Sequence, residues 1–139
     1  PAAAKPVANY VPWVRTGNLV FISGQVPLEN GKVAYSGHLG DTVSLEDGAK
    51  SARLCAINVI AQLKDACGGD LDRVKRVVKL VGFVNATATF ADHPKVINGA
   101  SDLMVEVFGD KGRHARSAVA SPSLPLGVAT EVEAIIEVE

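Results

Sequence analysis

Residues 128 to 138 alternate strictly. Val128, Thr130, Val132, Ala134, Ile136 and Val138 share one side, and Glu131, Glu133, Ile135 and Glu137 the other. That two-residue period predicts a strand with one buried face. Residues 115 to 120 form a second apolar segment, separated from the first by a proline-bearing stretch. Near the start, Leu19 to Ser23 is β-rich and follows the turn residues Thr16-Gly17-Asn18, so Val11 to Arg15 is expected to pair with it as a hairpin. Gly24 is expected to break that strand where backbone can approach a ligand. The valine-rich run Val74 to Asn85 predicts a long strand buried near the centre of a sheet.

Two segments carry the helical period instead. Ser44 before Leu45-Glu46-Asp47 supplies a hydroxyl cap and first-turn carboxylates, and Ala52, Cys55, Ala56, Val59, Ile60, Leu63 and Ala66 then recur at three- and four-residue steps until Gly68-Gly69. Asp92 is placed to cap a second helix with Pro94 in its first turn and an apolar face from Val96 to Phe108. From Glu29 to Thr42 the polar, glycine-rich composition reads as a loop. The order is strands, helix, strand, helix, strands, which predicts an α+β domain with both helices on one face of a mixed sheet.

If 115 to 120 and 128 to 138 pair as a hairpin centred near Ser123 and Leu124, Arg116 lies opposite Glu131. A planar guanidinium fits a carboxylate, and a neighbouring acid can handle a proton or a water, so this pair suits a site for a small organic acid. The same pair also reads as an ordinary cross-strand ion pair.

Composition narrows the remaining choices. At 139 residues and 47% hydrophobic, the chain has material for one domain with a real core. A formal net charge of -1 with interspersed signs gives no electrostatic footprint for nucleic acid or an anionic membrane. The basic residues Arg73, Lys75, Arg76 and Lys79 lack interleaved aromatics and read as solvated charges at a strand entrance. No apolar run approaches a membrane span, and Pro1-Ala2-Ala3-Ala4-Lys5-Pro6 lacks a signal-peptide core, so a cytoplasmic protein is expected. Cys55 and Cys67 have no partner at redox or metal spacing and are expected as buried free thiols. His38, His93 and His114 show no HxH or HxxxH spacing, so no metal is expected.

The motifs together carry a family resemblance. Arg116 with Leu124-Pro125 and Glu131, preceded by Asn9-Tyr10 and Ser23-Gly24-Gln25-Val26-Pro27, is similar over essentially the whole chain to the Rid family, also called YjgF. The resemblance implies a chorismate-mutase-like fold, a homotrimer with sites in the clefts between subunits, and no cofactor. It also implies hydrolysis of reactive enamine and imine intermediates of the 2-aminoacrylate and 2-iminopropanoate type to 2-oxo acids and ammonia. Arg116 would clamp the substrate carboxylate and Glu131 would activate the attacking water, with Tyr10, Ser23, Gly24, Asn98 and Ala118 lining the site. Where the archetype has a cysteine two residues after the arginine, this chain has Ala118. With apparent insertions at 34 to 43 and 91 to 95, that difference marks a divergent branch. Two alternatives stay open: a non-catalytic protein that binds or senses a 2-oxo acid, and an endoribonuclease.

Overall fold

A computed structural model describes residues 1–139, and the periodicities map onto its elements with few shifts. Trp13–Thr16 (β1) and Leu19–Gln25 (β2) pair antiparallel, as expected. Gly24 does not end β2. The strand continues to Gln25 with a bulge, its partners stepping from Ile22↔Ala134 to Gln25↔Val132, so one extra residue is absorbed beside Ser23 and Gly24.

The expected loop after Glu29 is more structured than its composition suggests. Leu28–Glu29 (β3) and Lys32–Val33 (β4) form a small hairpin whose turn residues Asn30 and Gly31 both have positive φ, 54° and 77°. Asn-Gly tolerates that geometry, which is why it favours tight hairpins. Beyond it, Leu39 is fully buried, its N–H donates to Asn85 O at 2.8 Å, and its carbonyl accepts from Thr87 N at 3.1 Å. The segment after the hairpin is therefore pinned into the core.

Helix α1 spans Leu45–Ala66, with Ser44 Oγ accepting from Asp47 N at 3.1 Å, and two left-handed glycines, Gly68 and Gly69, follow its end. Helix α2 spans His93–Phe108. Asp92 sits at its cap position but its side chain makes no capping bond, contrary to expectation. The Asp92 backbone (φ -96°, ψ 33°) lies outside the extended cap geometry, its carboxylate lies 3.9 Å from Lys95 Nζ, and its carbonyl accepts from Lys95 N and Val96 N. Val96, Ile97, Ala100, Leu103 and Met104 are buried on its inner face.

Val74–Asn85 (β5), Ala115–Ser121 (β6) and Thr130–Val138 (β7) complete a five-stranded sheet in the order β1-β2-β7-β5-β6. β5 and β6 run parallel across the α2 connection, and the other neighbours are antiparallel, so the sheet is mixed. The expected hairpin between residues 115–120 and 128–138 does not form, because β5 lies between β6 and β7. The physical reason lies in β5, an apolar strand buried along one face that gains a hydrogen-bonded neighbour on each edge. The connection from 122 to 129, turned by Pro125 and the positive-φ pair Leu126 and Gly127, carries the chain past its end.

Both helices pack on one sheet face around a core that includes Leu63, Leu80, Ile97, Met104 and Ile136. Where α1 and α2 cross, Gly99 is essential to the approach: a Cβ built there would fall on Ala49 O and lie 2.8 Å from Ala49 C. The clash is with backbone, which cannot swing aside as a side chain can. Although alanine is the better helix former, Gly99→Ala should therefore lower stability by about 1–3 kcal/mol. Thermal unfolding monitored by circular dichroism should show a clearly lower Tm for the variant, whereas an unchanged or higher Tm would mean the helices have room to spare.

Candidate functional site

Strand parity fixes where the two candidate residues, Arg116 and Glu131, point. Arg116 on β6 pairs with Leu80, whose side chain is buried under the helices, whereas Glu131 on β7 pairs with Phe83, one step out of phase. Arg116 therefore projects on the helix side of the sheet and Glu131 on the open side. Within one subunit they do not face each other, which corrects the cross-strand pairing expected from the sequence. The cause is the intervening β5.

On the helix side, α2 grips the guanidinium. Arg116 Nη1 donates to Asn98 Oδ1 at 2.8 Å and to Ser101 Oγ at 3.1 Å, and Nη2 reaches Pro94 O at 3.5 Å. Asn98 and Ser101 are three residues apart, hence on one helix face. Both Nη1 hydrogens are thereby used. Nε–H and at least one Nη2 hydrogen remain for an incoming acceptor, and a carboxylate fits such a fork. Ala118, two residues on, points the same way beside Gly82 and lines a neighbouring cleft of about 530 Å³ with Phe90 and His93. Its methyl leaves more space than a thiol would.

On the open side, Tyr10, Gly24, Asn58, Pro125, Leu126 and Glu131 line a cleft of about 180 Å³. Ser23 is placed beside it and works on the backbone: its Oγ donates to Val11 O at 2.8 Å and its N–H to Pro12 O at 2.9 Å, tying the Tyr10 segment to β2. Gly24 has a more specific task than backbone approach. A Cβ there would fall on Glu131 Oε2 and lie 2.9 Å from its Cδ, so the missing side chain makes room for the carboxylate. Burial pushes the Glu131 pKa above the usual carboxylate range, and the nearby Glu133 charge adds to the shift.

Several contributors lie outside the sequence expectation. Asn58 Nδ2 donates to Val26 O and Leu28 O, both at 3.0 Å, fixing the segment after β2. Leu126 holds a left-handed backbone, φ 61°, with its side chain 66% exposed at the cleft. A branched residue rarely accepts that conformation, and such strain collects at functional sites. The Pro125-Leu126-Gly127 turn was the available signal. Ser101 gave none, being one polar residue on a helix face.

Other candidates have structural duties. Cys55 is fully buried and its pKa is pushed up to about 12, chiefly by burial, so it is no nucleophile; Cys67 is buried and free as well. Of the four basic residues on and beside β5, Arg73 donates to Glu139 O at 3.3 Å and Arg76 to Arg113 O at 3.2 Å. Side chains that could hold a metal do not cluster, and no helix is long and apolar enough to cross a membrane.

Residues 1–138 match the family described as "YjgF/chorismate mutase-like, putative endoribonuclease". The chain is 48% identical over 138 residues to protein TCP17 of Trypanosoma cruzi, spanning 99% of this chain and 86% of that one. The crystal structure of Atu1372 from Agrobacterium tumefaciens, a protein of unknown function, matches with a TM-score of 0.94 at 47% identity, over 97% of this chain and 86% of that one. The structure of E. coli TdcF with bound serine matches at 0.69 and 26% identity, over 99% of this chain and 94% of that one. The gap between 0.94 and 0.69 fits a branch set apart from the E. coli form.

Proposed function

Because the chain belongs to the YjgF/chorismate mutase-like family, whose fold it has, we propose that it hydrolyses short-lived 2-imino acids to 2-oxo acids and ammonia. The observation that carries this reading is the guanidinium of Arg116, whose Nη1 is held by Asn98 and Ser101 while Nε–H and one Nη2 hydrogen are left for a ligand. That arrangement suits a small carboxylate. The relative with bound serine supports a ligand of amino-acid size. Water adds to the imine carbon of the clamped substrate, and the carbinolamine so formed expels ammonia to leave the carbonyl. Glu131, with its raised pKa, is suited to take a proton from the water and return it to the departing nitrogen. The uncatalysed reaction is already fast, so orientation and modest proton handling suffice.

Since Arg116 and Glu131 face opposite sides of one sheet, the reading requires a second copy to bring them together. Two observations support assembly into a homotrimer with shared sites. Arg116 lies on β6, an edge strand, within reach of a neighbour. The open sheet face carries apolar groups in register, Val14, Phe21 and Ile135, with Phe21 41% exposed and Val14 51%. Such a face in water favours burial against another subunit.

An RNA-cleaving role gains little from this surface, because Arg73 and Arg76 already serve the chain's own carbonyls and the net charge is -1. Simple binding of a 2-oxo acid would use Arg116 but has no need of a desolvated carboxylate. Coupling a serine or threonine dehydratase to the protein separates these readings. Imine decay, followed by ultraviolet absorbance, should quicken in proportion to added protein. Decay at the uncatalysed rate would reject the hydrolase.

A further inference from the structure

We infer that Ser101 and His114 form a positioning relay that sets the orientation of the Arg116 guanidinium; its importance for turnover rests on the imine-hydrolase reading. His114 Nδ1 lies 2.6 Å from Gly112 O, and since a carbonyl oxygen only accepts, Nδ1 carries the hydrogen. In the neutral ring Nε2 is then an acceptor. Ser101 Oγ lies 2.9 Å from it and donates its single proton there. The serine oxygen therefore meets Arg116 with lone pairs only and accepts from Nη1 at 3.1 Å.

Every donor in this chain points the same way, from Arg116 to Ser101 to His114 to the backbone, so each bond polarises the next. The far end is rigid. A Cβ built at Gly112 would fall on Met104 O and lie 2.9 Å from Val105 N, so the glycine that supplies the accepting carbonyl is packed directly onto the α2 backbone. Asn98 takes the second Nη1 hydrogen at 2.8 Å. Without Ser101 the planar group would keep only Asn98 and the long 3.5 Å contact from Nη2 to Pro94 O. With Ser101 added, two bonds to Nη1 fix the plane and aim Nε–H and the remaining Nη2 hydrogen. Side-chain supports of this kind decide whether a binding group is held tightly enough to act.

Three variants test the relay. Ser101→Ala removes the acceptor while keeping helix propensity, His114→Leu removes the group that orients the serine, and His114→Gln keeps an amide oxygen able to accept from it. The first readout needs no ligand: the Arg116 side-chain Nε–H signal in 15N NMR, identified by its loss in Arg116→Ala. The relay predicts that Ser101→Ala and His114→Leu shift or broaden this signal and that His114→Gln largely restores it. The second is steady-state imine hydrolysis, where Ser101→Ala should raise KM roughly tenfold with a smaller change in kcat. A merely structural role would lower Tm and leave the arginine signal and KM in place. An unmoved Arg116 signal with unmoved KM in Ser101→Ala overturns the relay. Should the parent protein fail to speed imine decay, the hydrolase reading falls, and the arginine signal still decides the relay.

Discussion

Arg116→Ala should fold normally and lose at least about a hundredfold in kcat/KM for 2-iminopropanoate hydrolysis. The loss follows from geometry. Nη1 is held by Asn98 and Ser101, so in the proposed reaction the remaining hydrogens of the same rigid plane would set both the position and the angle of the substrate carboxylate. Without the fork the imine carbon is no longer placed against the water. Arg116→Lys should recover little, because an ammonium is a point charge that can satisfy the helix or the ligand but offers no planar edge. Stability should barely change, since Arg116 is half-buried at a sheet edge and its partners can turn to solvent. A coupled decay assay beside thermal unfolding checks both statements, and parental kcat/KM in the alanine variant would remove Arg116 from the mechanism.

Glu131→Gln should separate binding from turnover. The amide keeps the shape that Gly24 accommodates and retains hydrogen-bonding capacity, but it cannot accept a proton from water. Calorimetric titration with 2-oxobutanoate should give an affinity near the parent's, while imine hydrolysis falls to near the uncatalysed rate. The same substitution has a stability signature. Burial and the Glu133 charge raise the Glu131 pKa, so the folded state holds the proton more tightly than the unfolded chain. The associated stability is fully present below the ordinary carboxylate pKa and is lost as pH rises through the folded value. The glutamine variant has no such titration. Its Tm should therefore gain on the parent's as pH rises from the acid side through that window. A gap that moved the opposite way would mean that the ionised carboxylate is stabilised in the fold.

Much of the architecture was legible because local chemistry and packing agree there. Ser44 and Gly68-Gly69 bracket α1 as capping rules require, and the alternation from Val128 to Val138 marks the two faces of β7. Strand pairing was not legible. A two-residue period says which side chains share a face but not which strand lies next door, so β5 between β6 and β7 escaped detection and the faces of Arg116 and Glu131 with it. Asn30-Gly31 was a readable hairpin signal obscured by its polar surroundings. Asp92 had a capping residue's chemistry without the backbone angles to use it. The candidate site residues divide in the same way: Arg116 and Glu131 stand out by chemical type, and family resemblance pointed to Asn98. Ser101 and His114 acquire meaning only when α2 is laid against the start of β6.

The central claim is that a working site combines Arg116 from one copy with Glu131 from another. Subunit complementation tests it directly. Arg116→Ala and Glu131→Gln chains, each inactive alone, are unfolded, mixed in equal amounts and refolded, and the mixture is assayed for imine hydrolysis. If each site takes its two halves from different chains, random assembly leaves both intact in about one site in four, so the mixture should regain about a quarter of parental activity. A mixture as inactive as its components would contradict the shared site.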